Sequence, residues 1–197
     1  MFAQKPALVV LGIDPGLTRC GYAVLRSQSS HQSSHQSSHQ PSQHSSNSLN
    51  PVVVALGVMT TPATEQLQHR LCALQLDIEK LIDETRPDAI AVEQVFFQNN
   101  VRTAMSVGQV SGLVLALASR LGIDVVQYTP SQVKSAVTGS GTANKLQVQK
   151  MVQQRLGLST LPEPADAADA AAIALCHLAI APLRSSILRA ESVVGAQ

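Results

Sequence analysis

Four carboxylates in this chain sit where a core or a helix would ordinarily carry something neutral. Asp14 closes the apolar run Leu8-Val9-Val10-Leu11-Gly12-Ile13 and is followed by the turn pair Pro15-Gly16. Glu93 closes a second apolar run, Ala89-Ile90-Ala91-Val92. Short runs of this kind read as buried strands, so both acids belong at strand ends. A buried carboxylate without a partner is costly, and each of these needs a cation, a hydrogen-bond cluster or a metal. Asp166 and Asp169 lie three apart in Ala165-Asp166-Ala167-Ala168-Asp169-Ala170-Ala171, a spacing that puts them on one helix face. One reading is that they are N-terminal helix acids favoured by the dipole. The other is that small neighbours leave the pair uncovered and free to meet another surface.

If the two strands are parallel neighbours, Asp14 and Glu93 share one sheet edge. Four converging acids need a counter-charge, because like charges at short range raise one another's pKa. Hard divalent cations with oxygen ligands meet that need. Two such ions about 4 Å apart suit in-line hydrolysis of a phosphodiester. The sequence has no Cys/His zinc spacing and no Walker-type loop to compete with that chemistry.

The elements that must position these acids follow from pattern. Leu8–Ile13 is a first strand, and Cys20–Leu25 a second that pairs back on it as a hairpin. Ser27–Asn50 is almost wholly Ser, Gln, His and Asn, with Ser-Ser-His-Gln repeated from Ser29 to Gln40. Such a segment cannot offset its ordering entropy, which predicts a disordered insertion at 27–50. Its histidines (His31, His35, His39, His44) offer at most weak transition-metal binding. Pro51–Met59 is a third strand. Leu67, Leu71, Leu74, Ile78, Leu81 and Ile82 recur at helical spacing, with Thr61-Pro62 and Thr64 as start signals and Arg86-Pro87-Asp88 as the stop. Ala89–Glu93 is the fourth strand.

A helix is expected from about Thr103 to Leu121. Ala104, Gly108, Gly112 and Ala116 form a stripe of small residues on it, read as packing on the sheet, with a dimer contact as the alternative. A fifth strand, Ile123–Tyr128, precedes a short helix from Thr129-Pro130-Ser131 through Val137. Further helices follow over Asn144–Leu156 and Ala165–Ile180, the last expected to stop at Pro182. This order predicts an α/β domain over 1–182, with a mixed five-stranded sheet flanked by helices, and a flexible tail over 183–197.

With 197 residues, 45% hydrophobic and 14% charged, the chain is long enough and apolar enough for one well-packed domain. A net charge of +1 excludes any argument from overall basicity. Its distribution is uneven. Between Gln94 and Pro162 there are six basic residues (Arg102, Arg120, Lys134, Lys145, Lys150, Arg155) against the single acid Asp124. That half can offer a positive surface to a polyanion, or simply carry solvated helix faces. Three widely spaced cysteines, Cys20, Cys72 and Cys176, suit reduced thiols. With no secretory signal pattern and no membrane-spanning run, a soluble, cytoplasmic protein is expected.

Four segments occur in a telling order: Gly12-Ile13-Asp14-Pro15-Gly16, Ala91-Val92-Glu93-Gln94-Val95-Phe96, Gln132-Val133-Lys134 and Ala165-Asp166-Ala167-Ala168-Asp169-Ala170. The first alone also opens actin-like sugar kinases. Together they make the chain resemble the RuvC family of Holliday-junction resolvases, the crossover junction endodeoxyribonucleases, from Leu8 to about Ile180. That resemblance implies an RNase H-like fold and a homodimer working with the RuvA–RuvB branch-migration complex. It implies that Asp14, Glu93, Asp166 and Asp169 hold two Mg²⁺ ions, with Mn²⁺ able to substitute. It also implies paired symmetric nicks in a four-way junction, leaving 5′-phosphate and 3′-hydroxyl ends for recombination and repair.

By the same resemblance Phe96 stacks on DNA bases, and Lys134 and Lys145 act near the scissile phosphate. Arg102, expected in the loop after Phe96-Phe97, is a further candidate for a backbone contact. His177 lies too far along the last helix to share a metal with Asp166 and Asp169 and reads as structural. Two other functions fit parts of the pattern: an RNase H-like nuclease acting on RNA–DNA hybrids, and a junction-binding module without catalysis.

Overall fold

The computed structural model describes residues 7–28, 50–94 and 101–194, with side chains described outside 101–103 and 184–194. The 27–50 insertion, its histidines and the Phe96-Phe97 pair therefore lie almost wholly outside the described residues. Five strands form one sheet: β1 (Val9–Asp14), β2 (Arg19–Arg26), β3 (Val52–Thr60), β4 (Ala89–Glu93) and β5 (Asp124–Tyr128). Their spatial order is β3-β2-β1-β4-β5. The first three strands pair antiparallel, and β4 and β5 add in parallel. This is the mixed sheet that three hairpin-linked strands followed by helix–strand units require.

Helices α1 (Leu67–Thr85) and α2 (Val101–Arg120) cover one face of the sheet, where Leu11, Ile13, Val24, Ile90 and Val92 meet Leu74, Ile78, Val110 and Val114. Helices α3 (Pro130–Thr138), α4 (Lys145–Leu156) and α5 (Ala165–Val194) cover the other, with Val10, Ala23, Ala91 and Tyr128 against them. Successive strand residues alternate between these two cores. The α5 helix is buried on nearly every side between Ala167 and His177. Its alanines are thus not an open shelf beside the aspartates. They are small so that the helix can lie directly on the sheet backbone.

The glycines of β1 and β2 make the complementary allowance. A Cβ at Gly12 would stand 2.3 Å from the Ala170 carbonyl oxygen, and one at Gly21 would stand 2.1 Å from that of Asp166. No side chain fits at either point. The Ala165–Leu183 segment is long and apolar enough to cross a membrane by length and composition, contrary to expectation, yet over half of it is buried inside the fold.

Three other expectations change. Helix α5 does not stop at Pro182 but carries that proline inside it and runs on to Val194. A proline removes one backbone donor and crowds the preceding turn, which weakens or kinks a helix without necessarily ending it. The residues after it, Leu183-Arg184 and Ile187-Leu188-Arg189-Ala190-Glu191, are mostly good helix formers. Along α2, Gly108 and Gly112 have nothing within 4 Å of a built Cβ, so they do not pack on the sheet, whereas Ala104 is buried. Helix α1 begins at Leu67 with Gln66 as an uncapped N-cap, later than the Thr61 and Thr64 signals suggest.

Thr61 has a different task. It is buried, donates its hydroxyl to the Leu17 carbonyl and accepts from Arg70 Nε at 2.9 Å. Arg70 also reaches Thr18 Oγ1 at 2.7 Å, and the Thr61 amide donates to the Thr18 carbonyl at 3.2 Å. The turn between β1 and β2 is thereby braced against α1. Thr61→Val leaves the Leu17 carbonyl and the Arg70 guanidinium short of a partner, with an expected loss of about 1–3 kcal/mol in urea unfolding. At the opposite end of the sheet, Leu8 and Ser27 clasp each other: the Leu8 amide donates to Ser27 Oγ at 2.7 Å, and the Ser27 amide to the Leu8 carbonyl at 2.8 Å.

Candidate active site

Strand alternation decides which way the two strand-end acids face. Val10 and Gly12 turn toward α5, Leu11 and Ile13 toward α1 and α2, so Asp14 follows Gly12 onto the α5 side. On β4, Ala91 faces the α5 core and Val92 the other, which sends Glu93 to the same side as Asp14. The strands are parallel, with Ile13 opposite Val92, so the two acids are adjacent strand ends. Across β1, Asp14 is paired with Gly21, the glycine over which the first turn of α5 lies. Asp166 and Asp169 are thereby delivered to the same mouth.

Electrostatics reflect that convergence. Asp14 is pushed up to about 7, first by burial and then by the charges of Glu93, Asp169 and Asp166, with Lys145 opposing. Glu93 is raised by burial and by Asp169, against the lowering influence of Lys134 and Lys145. An acidic cluster of this kind favours a proton or a cation in its midst. Among the described residues, however, no three acidic, histidine or cysteine groups stand close enough to hold one ion as they are. The helix aspartates are engaged elsewhere. Arg19 Nε donates to Asp166 Oδ2 at 2.7 Å, and Lys145 Nζ donates to Asp169 Oδ2 at 2.7 Å. The Asp169 hydrogen bond raises the Lys145 ammonium pKa.

The capping of α4 explains the position of Lys145. Asn144 accepts from the Gln147 amide and Gln147 reaches back to the Asn144 amide at 2.8 Å, which fixes Lys145 as the first helical residue. Lys134 lies on α3, half-buried, where its charge acts on Glu93. Arg102 is not in a loop: it falls in the first turn of α2, because that helix starts two residues before the Thr103 that the pattern suggests. Its side chain, like Phe96, lies outside the described residues. His177 is buried and its Nδ1 sits 3.0 Å from the Tyr128 hydroxyl, in keeping with a structural role.

The residue that sequence reading overlooked is Arg19. A signal existed, since Arg19 precedes Gly21 by two positions and so shares its face of β2. Thr61 and Arg70 had no such local signal, because their partners are distant in sequence.

The chain matches the sequence model of the family described as "Crossover junction endodeoxyribonuclease RuvC" over residues 42–177. A curated relative of that same name from Frankia casuarinae is 46% identical, over 90% of this chain and 95% of its own length. Among solved structures, Thermus thermophilus RuvC superposes with a TM-score of 0.75 at 34% identity, covering 89% of this chain and 96% of the other. The same organism's RuvC in complex with a Holliday-junction substrate gives a TM-score of 0.73 at 31% identity, with the same coverage of both chains. The sheet order, the acids gathered against α5 and this breadth of likeness lead to one conclusion: the chain belongs to the RuvC family of crossover junction endodeoxyribonucleases, and its fold is RNase H-like.

Proposed function

We propose that this protein is a structure-selective DNA endonuclease that resolves four-way junctions by hydrolysing phosphodiesters, with Asp14, Glu93, Asp166 and Asp169 as its metal-holding residues. The observation that carries this reading is the register that turns Asp14 and Glu93 toward the helix end bearing Asp166 and Asp169. The donor set suits a hard divalent cation: four carboxylates, one of them raised to about 7 by burial and then by its acidic neighbours, and no sulfur or imidazole among them. Mg²⁺ is the ion we assign, two per site, with Mn²⁺ as a substitute. When bound, such ions stabilise the charge that builds on the scissile phosphate and activate the attacking water.

The chain's own groups do the rest. The sheet edge and α5 hold the four acids in fixed relation. Lys145, anchored at the start of α4, places positive charge at the mouth, where a phosphate oxygen would sit. Lys134 neutralises the Glu93 side of the site. Phe96 and Arg102 are assigned to base stacking and backbone contact, and the working unit is a homodimer in the bacterial cytoplasm alongside a branch-migration complex.

The test is direct. Purified protein is given a synthetic four-way junction, a linear duplex and an RNA–DNA hybrid, each with Mg²⁺ and with EDTA. Paired nicks in the junction alone, only with Mg²⁺, are the expected result. Cleavage of the hybrid would favour an RNase H-like activity, and junction binding without nicking in Mg²⁺ would make the protein a non-catalytic binding module.

A further inference from the structure

Asp166 is held by a cation from another element, Arg19, whose side chain is half-exposed but whose backbone is fixed in place. Arg19 opens β2 and is paired there with Thr60. Its backbone is pressed against Gly16, where a Cβ would stand 2.1 Å from the Arg19 carbonyl oxygen. The preceding residues, Leu17 and Thr18, are braced by Thr61 and Arg70. The guanidinium thus projects from a fixed post toward the first turn of α5, meeting a carboxylate 147 residues away. Arg19 and Lys145 approach the two helix aspartates from different elements, β2 and α4, each at 2.7 Å.

A carboxylate oxygen engaged by a guanidinium is not available to a metal ion at the same lone pair. Resting on the site assignment above, we infer that Arg19 is a positioning residue that occupies Asp166 until a divalent cation displaces it, and that metal loading releases the guanidinium toward the DNA backbone. A released guanidinium carries several donors in a planar fork suited to a phosphate. Metal and substrate then favour each other's binding, because the first frees the group that the second uses. In the metal-free protein the same contact steadies the end of α5, where two acids share one turn.

Mn²⁺ binding measured by isothermal titration and by the EPR signal of the free ion tests this on the intact chain, without reference to cleavage. Arg19→Gln is expected to bind Mn²⁺ about 3–10-fold more tightly than the wild type, because the competitor for Asp166 is gone. Its metal-free Tm is expected to fall, and Arg19→Lys to return both values toward wild type. An arginine that merely holds the structure together would, when removed, leave Mn²⁺ affinity unchanged or weaker, and either result overturns the inference. Asp169→Asn separates the two levels of the claim. If Mn²⁺ binding is unaffected by that change, the carboxylate site itself is misassigned and the inference falls with it. If Asp169→Asn weakens binding while Arg19→Gln does not strengthen it, only the role of Arg19 is refuted.

Discussion

Gly21→Ala is expected to lower the Tm by about 10 °C and to reduce junction cleavage by at least about tenfold. The added methyl would lie 2.1 Å from the Asp166 carbonyl oxygen and 2.6 Å from its carbonyl carbon, both backbone atoms. Ordinary contact begins near 3.4 Å, so the first turn of α5 must retreat from β2. No rotamer change relieves such a clash. Overpacking of this kind costs typically 1–3 kcal/mol and occasionally more, and a chain of this size loses about 2–4 °C per kcal/mol. The retreat carries Asp166 away from Asp14, which is paired with Gly21 across the hairpin. Displacements of about 1 Å in a catalytic arrangement can cost 10²-fold.

Gly112→Ala is the control. Nothing lies within 4 Å of its Cβ position on the exposed side of α2, so replacing glycine by alanine within a helix should raise stability by about 0.5–1 kcal/mol. Differential scanning fluorimetry and a junction-cleavage time course measure both variants. A Gly21→Ala protein with unchanged Tm and rate would mean that α5 does not rest on β2.

The second large effect is that of Asp14→Asn, which should gain stability while losing function. Cleavage in Mg²⁺ should fall by about 10³-fold or more, the equivalent of several kcal/mol of lost charge stabilisation. In EDTA the same variant should be more stable than the wild type. The sign follows from linkage. The Asp14 carboxyl titrates at about 7 in the folded chain against an ordinary 3.8, so between those values the folded state holds a proton that the unfolded state has released. Stability of the metal-free wild type attributable to Asp14 therefore falls as pH rises from about 4 to about 7, and the penalty is complete above that.

Asn has no charge to bury, and a gain on the order of 2 kcal/mol at pH 8 in EDTA is expected, discounted from the full shift for partial exposure. Urea unfolding at pH 5 and pH 8, with EDTA or Mg²⁺, reads this out. The advantage should shrink at pH 5 and on adding Mg²⁺ to the wild type. A variant that cuts junctions at the normal rate would remove Asp14 from the mechanism.

Both predictions rest on features with unequal visibility in the sequence. The strand ends at Asp14 and Glu93 were legible because an apolar run that terminates in an acid is a local pattern. Strand alternation then carried the side-chain direction. The close seating of α5 was not legible. Alanines around Asp166 and Asp169 suggested open surface, whereas they are small because Gly12 and Gly21 admit the helix backbone, a relation between residues about 150 positions apart. For Arg19, strand alternation gave its face of β2, but not its partner, which is supplied by the far end of the chain. The stop expected at Pro182 failed differently: a local breaker signal was outweighed by the helix formers beyond it. Thr61 had the composition of a helix cap, but its hydroxyl is spent on a turn that only tertiary structure creates.

The clasp between Leu8 and Ser27 has a consequence for how this protein tolerates change. β2 leaves Arg19 beside the acids and ends at Arg26, opposite Val9, so the low-complexity stretch departs from and returns to the rim farthest from the chemistry. The hairpin segregates the two: the low-complexity stretch opens from one pole, and the arrangement that must not shift is kept at the other. A fluorophore or affinity handle spliced in at that remote pole would report on the enzyme while leaving its cutting edge untouched.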